Sequence, residues 1–306
     1  MQLPERVTVY EVGPRDGFQN LARFVPTDSK IAFINALSAA GLPAIEATSF
    51  VSPQWVPQLA DAREVMEGIE RGQGIRYPVL VPNLTGLERA LDTDVREIAV
   101  FTAASETFNR RNINATIDES IDRFRPVMAR AASMGLRVRG YVSTAFGCPY
   151  QGDVDPGAVV RVTGDLFEVG CSEVSIGDTI GVADPAQVHS VVAQLQRHFD
   201  LGGIALHLHD TYGRGLANVV AGLEAGVRTF DSAAGGLGGC PYARGATGNL
   251  ATEDLVAMLD QMNIRTGIDL TALVAATSAL AASTGLRMPS RAFEALRAQQ
   301  RALIPA

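Results

Sequence analysis

Short runs of β-branched and apolar residues alternate along this chain with longer stretches whose apolar positions recur every three to four residues. The first pattern marks buried strands and the second marks amphipathic helices. Strands are predicted over Val7–Val12, Ala44–Ser49, Tyr77–Val81, Glu97–Phe101, Arg137–Thr144, Glu173–Ile176, Gly203–His209 and Thr229–Ala233. Between them, helices are expected over Ser29–Ala40, Ala62–Glu70, Ile121–Met134, Pro156–Val169, Pro185–Phe199, Leu216–Ala225 and Asn249–Met262. Thr27-Asp28 and Asp184-Pro185 offer a capping side chain or a first-turn proline. Gly135 and Gly170 stand where a helix end favours positive φ. Eight strand–helix units without an extended linker predict an α/β fold, a (β/α)8 TIM barrel with additional C-terminal helices. The chain reads as one catalytic domain over 1–306, with the barrel at about 7–265 and a helical extension at about 266–306, where the sequence turns alanine- and leucine-rich. An open doubly wound sheet would carry Gly-x-Gly-x-x-Gly after its first strand, and Val12-Gly13-Pro14-Arg15-Asp16-Gly17 stands there instead.

Barrels carry their chemistry at the carboxyl ends of the strands. Those positions hold Arg15 and Asp16 after the first strand, Glu46 in the second, Asp178 and Thr179 after the sixth, and His207 and His209 in the seventh. Alternate residues of a strand share a face, so His207-Leu208-His209 presents two imidazoles together. A pair of hydrogen-bonded histidines on a half-buried strand is the plainer reading. Acidic groups at several strand ends facing the pair, with Asn249 nearby, favour a mixed nitrogen and oxygen set for Mg²⁺, Mn²⁺ or a similar octahedral ion. Cys148, Cys171 and Cys240 lack the spacing of a closed zinc site.

After the eighth strand comes Gly235-Gly236-Leu237-Gly238-Gly239-Cys240-Pro241-Tyr242. Its glycines permit close approach to a ligand, and Cys240 at the end of such a loop is a candidate acid or base. Cys148 and Cys171 read as small buried thiols. The single lysine, Lys30, falls in the first turns of a helix. With no lysine at a strand end, Schiff-base chemistry is excluded, and cleavage of a carbon–carbon bond here would need a metal as electron sink.

The net charge of −7 and the absence of a basic cluster exclude a nucleic-acid surface. Residues Met1 to Glu11 lack the apolar core of a signal peptide, and no run is long enough to span a bilayer. Three scattered cysteines without Cys-x-x-Cys fit a reducing compartment, so a cytoplasmic and bacterial setting is expected.

The segments Val12–Asn20, Ile45–Pro53, Gly177–Gly181, His207–Asp210, Ala234–Tyr242 and Gly248–Asp254 together resemble 3-hydroxy-3-methylglutaryl-CoA lyase, a family of the DRE-TIM metallolyases. The resemblance runs from about residue 7 to about 285, and its most specific piece is the cysteine loop, which condensing relatives lack. It implies Asp16, His207, His209 and Asn249 as metal ligands, Arg15 and Cys240 as catalytic groups, Glu46 and Asp178 as acids that orient the site or relay protons, and Tyr141 near the substrate. The implied reaction is retro-Claisen cleavage of 3-hydroxy-3-methylglutaryl-CoA to acetyl-CoA and acetoacetate, in a homodimer with an acyl-CoA substrate. Phe18, Leu21 and Ala22 depart from the family pattern near CoA, which leaves open a longer 3-hydroxy-3-alkylglutaryl-CoA. A condensing acyltransferase of the isopropylmalate or homocitrate synthase type is the alternative.

Overall fold

The computed structural model of the protein describes residues 3–238 and 248–302, with side chains through residue 299. Among the described residues, nine strands run in one parallel sheet: β1 (Thr8–Glu11), β2 (Ala44–Ile45), β3 (Thr48–Ser49), β4 (Val79–Leu80), β5 (Glu97–Ala103), β6 (Arg137–Ser143), β7 (Glu173–Gly177), β8 (Ile204–His207) and β9 (Thr229–Ser232). Their order is β2-β1-β9-β8-β7-β6-β5-β4-β3. β2 and β3 are two halves of the strand expected over 44–49, one paired with β1 and the other with β4. Between them, the Glu46 N–H donates to Glu11 O at 2.8 Å and the Ala47 N–H to Pro78 O at 2.9 Å. The two halves therefore close the sheet into a barrel of eight staves, as the alternating pattern predicts.

Side-chain alternation divides the barrel into two environments. Val9, Ile45, Val79, Ile98, Val174, Ile176, Leu206 and Phe230 are fully buried between the strands and the outer helices. The intervening positions point to the barrel axis, and there the chain places Tyr10, Arg139, Ser175 and Asp231, all buried and mostly polar.

Several helix boundaries differ from the sequence expectation for identifiable reasons. Thr27 is the first residue of the helix Thr27–Ala39 rather than its cap, because its hydroxyl donates to Asp61 Oδ2 at 2.8 Å. The helix expected from Ile121 begins at Ile117, where Thr116 Oγ1 accepts the Glu119 N–H at 2.9 Å and Glu119 accepts the Thr116 N–H at 2.7 Å. That reciprocal pair is a capping box, whose cap side chain is worth about 0.5–2 kcal/mol. The short helices Leu84–Leu91 and Glu106–Ile113 escape the pattern because two turns carry too few apolar repeats. Asp184 caps Pro185–Gln196 and Gly170 ends Pro156–Val169 in left-handed conformation, as expected.

The helix Leu270–Thr284 packs on Thr27–Ala39, and Arg291–Ala302 packs on Thr252–Gln261. The C-terminal segment thereby reaches the barrel mouth, where Thr277 Oγ1 donates to Glu253 Oε1 at 2.5 Å. Among the described residues, no helix is long and apolar enough to cross a membrane.

Candidate active site and metal centre

The residues Gly13–Gly17 after β1 form a single π-helical turn. Val12 O accepts the N–H groups of Arg15, Asp16 and Gly17 at 3.2, 2.7 and 3.2 Å. Such turns are rare and concentrate at functional sites, and this one carries Arg15 and Asp16 into the barrel mouth. A Cβ at Gly13 would lie 2.5 Å from Glu11 Oε1, so a side chain here would push that carboxylate off its donors. That Glu11 carboxylate ties three segments together. It accepts Gly13 N–H at 2.7 Å, Ala234 N–H at 2.9 Å and Thr252 Oγ1 at 2.6 Å. Burial nevertheless pushes its pKa up to about 7, against the pull of those donors.

Arg15 donates from Nε to Glu46 Oε2 at 2.8 Å and from Nη1 to Asp16 Oδ1 at 2.6 Å. Burial opposes its charge, but the two carboxylates outweigh it and hold the guanidinium protonated above its ordinary range. Burial would likewise raise Asp16; Arg15, with His207 and His209 behind it, holds that carboxyl well below the usual range. Glu46 is raised by burial despite Arg15, and its Oε1 has no partner among the described residues. Tyr141 donates to Glu46 Oε2 at 3.0 Å and accepts from Arg139 Nη1 at 2.8 Å. Burial, then Glu46, keeps the phenol protonated.

The histidines sit where the sheet gives way to a loop. His207 ends β8, whereas His209 lies beyond the strand in an antiparallel bridge with Asn249. The Leu250 N–H donates to Leu208 O at 3.1 Å and the Asp210 N–H to Gly248 O at 2.8 Å, which brings Asn249 alongside the pair. The two Nε2 atoms are 3.1 Å apart. Ligands at about 2.1 Å in neighbouring positions of an octahedral ion stand about 3 Å apart, so this spacing suits a shared cation. Asn249 Nδ2 donates to Asp16 Oδ2 at 2.8 Å and to Leu237 O at 3.1 Å, which fixes the amide and leaves its buried Oδ1 without a partner among the described residues. Asp16, His207 and His209 offer ligand atoms within 4.8 Å of one another. Burial, then His207, lowers the His209 pKa to about 3, so that imidazole is neutral and able to ligate. The donor set fits a divalent cation.

These groups floor a cavity of about 270 Å³. Thr179 and Ser143 continue the polar side, while Val51, Val56, Leu80, Phe101, Phe108 and Ile113 form an apolar wall, with Gln19 and Asn20 at the rim.

The HMGL-like family model matches residues 6–280. The chain belongs to the HMG-CoA lyase family. It is 54% identical over 268 residues to the cytoplasmic 3-hydroxy-3-methylglutaryl-CoA lyase of Rattus norvegicus, covering 88% of this chain and 78% of that protein. The crystal structure of hydroxymethylglutaryl-CoA lyase from Pseudomonas aeruginosa superposes with a TM-score of 0.96 at 49% identity, over 98% of this chain and 100% of that one. An HMG-CoA lyase from Acinetobacter baumannii, solved in complex with coenzyme A and 3-methylmalate, superposes with a TM-score of 0.92 at 39% identity, over 100% of this chain and 99% of that one.

The family's expected site residues fall unevenly in the structure. Arg15, Asp16, Glu46, Tyr141, His207, His209 and Asn249 converge on the mouth. Asp178 is buried beside it, but its two oxygens accept the Val182 and Ala183 N–H groups at 2.9 and 3.1 Å, so it shapes the loop after β7. Burial pushes its pKa up to about 6 against those bonds. Cys240 lies outside the described residues. Cys148 and Cys171 are buried, and burial pushes the Cys171 thiol up to about 12. Lys30 donates to Asp61 Oδ1 and Gln58 O, each at 2.6 Å, and is not among the residues that line the cavity.

Sequence reading overlooked Glu11, Arg139, Ser175, Asp231 and Glu253. The signal was present: Arg139 in Val138-Arg139-Gly140 and Asp231 in Phe230-Asp231-Ser232 are charges in mid-strand, where a barrel interior otherwise takes apolar side chains.

Proposed function

We propose that this chain is a metal-dependent carbon–carbon lyase that cleaves 3-hydroxy-3-methylglutaryl-CoA to acetyl-CoA and acetoacetate. The observation that carries this reading is near-full-length identity of about half to HMG-CoA lyases, together with the Asp16, His207 and His209 cluster at the barrel mouth. Asp16, His207, His209 and Asn249 would hold the cation, Mg²⁺ or Mn²⁺ by the hardness and number of its donors. Such an ion supplies Lewis acidity toward the oxygens of the substrate.

The chain's own residues account for the rest. In the reaction, the tertiary hydroxyl loses its proton, the C3 oxygen becomes a ketone, and the C2–C3 bond breaks. The electron pair passes to the thioester as an enolate, which a proton then quenches. Arg15 is the fixed positive charge at the mouth, and it stabilises the enolate oxygen as that charge develops. Glu46 and Tyr141 hold the guanidinium in place, so little reorganisation is needed at the moment of cleavage. The apolar wall of Val51, Leu80 and Phe101 excludes water from the carbanionic intermediate. Cys240 is assigned proton delivery to the enolate, on the strength of the family resemblance. CoA bound by the Acinetobacter baumannii relative supports an acyl-CoA substrate here. A homodimer and a cytoplasmic, bacterial setting complete the reading.

Incubation with 3-hydroxy-3-methylglutaryl-CoA and Mg²⁺ should release acetoacetate. Release of free CoA from acetyl-CoA and a 2-oxo acid, without acetoacetate in the first assay, would replace the lyase with a synthase. Cys240→Ser should retain Mn²⁺ binding and lose roughly 10²–10⁴-fold in kcat, the range for an acid or base. Near-normal turnover would remove the cysteine from the chemistry.

A further inference from the structure

At the centre of the barrel, one guanidinium joins the two halves of the site. Arg139 is fully buried, with its Cζ 3.8 Å from the ring centroid of Tyr10 and 4.9 Å from that of Tyr141. Its Nη1 and Nη2 take the two oxygens of Asp231 at 3.0 and 2.6 Å, while Nε reaches Glu173 at 2.6 Å. A carboxylate gripped at both oxygens by an arginine fork acts as an acceptor only. Asp231 Oδ2 also accepts Ser175 Oγ at 2.8 Å and faces His207 Nδ1 at 3.3 Å.

That contact is a hydrogen bond only if the proton of the neutral ring sits on Nδ1. The lone pair then lies on Nε2, which faces His209 Nε2 and the candidate ion site. His209 has no equivalent support, since its Nδ1 is buried without a partner among the described residues. One imidazole of the pair is therefore oriented from the barrel interior. The other is oriented by its backbone bridge to Asn249.

We propose that Arg139 and Asp231 are positioning residues of this site. Held in the arginine fork, Asp231 fixes His207 as its Nδ1–H tautomer and reserves Nε2 for the metal. The same guanidinium, through the Tyr141 hydroxyl, steadies Glu46 and with it Arg15. Carboxylate support of a ligating histidine both sets the ring and raises its basicity, and losing it typically costs 10–100-fold in metal affinity. The inference rests on the metal reading above, but not on which reaction the site performs.

The chain has four histidines, so nitrogen-15 histidine spectra of the metal-free protein at pH 8 are assignable. The His207 signals are identified by their loss in His207→Gln. They should report the Nδ1–H tautomer, and an Nε2–H ring would overturn the proposal without any change to the buried pair. In Mn²⁺ titrations, Asp231→Asn should weaken binding by about 10–100-fold. Tyr141→Phe removes the bridge to Glu46 and leaves Asp231 in place, so it should bind Mn²⁺ as the parent does and lose kcat. Asp231→Asn with a native circular dichroism spectrum and parental Mn²⁺ affinity would overturn the proposal. So would an equal loss of affinity in Tyr141→Phe. If no acetoacetate is formed but the tautomer and the Asp231→Asn loss are both observed, the positioning pair stands and only the reaction assignment falls.

Discussion

The two ends of the barrel axis are built from the same materials, arginines and carboxylates, and put them to different use. At the floor, Arg76 Nη1 meets both oxygens of Glu97 at 2.9 and 3.2 Å. Glu173 is held by Arg139 at 2.6 Å and by Arg137 at 3.4 Å. Every oxygen of those two carboxylates faces a guanidinium. At the mouth, Glu46 Oε1, Asn249 Oδ1 and His209 Nδ1 are buried without partners among the described residues, and two imidazoles confront each other. Buried polar atoms left unpaired cost stability, and Asn249 Oδ1 beside the two facing Nε2 atoms is one that a bound cation would satisfy. Charge alone does not separate a functional end from a structural one. What separates the two sets of carboxylates is that those at the floor have every oxygen matched by a guanidinium, whereas Glu46 at the mouth keeps Oε1 open.

The largest effect expected from the comparison is at Arg15. Arg15→Lys keeps the charge but loses the planar fork that meets Glu46 and Asp16 together. Its kcat should fall by at least ~10²-fold, the usual loss of one oxyanion donor, with KM little changed. A defect confined to KM would make Arg15 a binding residue only.

At the other end, Glu97→Gln should leave kcat and Mn²⁺ binding as they are. It should cost about 1–3 kcal/mol in denaturant unfolding, the penalty for weakening a buried, charge-assisted set. A loss of turnover without a loss of stability would dissolve the distinction between the two ends.

A smaller effect concerns the carboxylates that anchor the mouth. Burial raises both Glu11 and Glu253 from 4.5 to about 7. In these groups the native state binds more protons than the unfolded state between those values, so their ionisation lowers stability as pH rises from about 4.5 toward 7. Glu253 accepts Gly235 N–H at 2.7 Å and Thr277 Oγ1 at 2.5 Å, and a glutamine can keep the first bond through its carbonyl. Melting temperatures recorded from pH 5 to 7 should therefore decline less in Glu253→Gln than in the parent. Parallel slopes would show that Glu253 does not ionise across that window.

Much of this was legible in the chain itself, and the omissions have physical causes. Strand alternation revealed the eight staves, and the spacing of His207 and His209 put both imidazoles in one place. Searching only the strand ends found the mouth and missed its supports. Arg139 and Asp231 lie in mid-strand, and Glu11 and Glu253 matter through backbone N–H groups that no sequence pattern displays. Asn249 was legible as an oxygen donor from its place after the eighth strand and from the family resemblance, but the bridge to His209 that positions it is a tertiary contact between segments 40 residues apart that no local pattern displays. Asp178 was read from its place at a strand end; what the sequence could not display is that its oxygens accept the Val182 and Ala183 N–H groups and so hold the loop after β7.

The claim that the mouth has spare capacity for a cation is tested most directly by Mn²⁺ binding followed by electron paramagnetic resonance. The parent protein should bind one Mn²⁺ per chain, and both His207→Ala and His209→Ala should abolish that stoichiometric binding while remaining folded. Unchanged Mn²⁺ binding in the two single variants would place the ligands elsewhere and contradict the account.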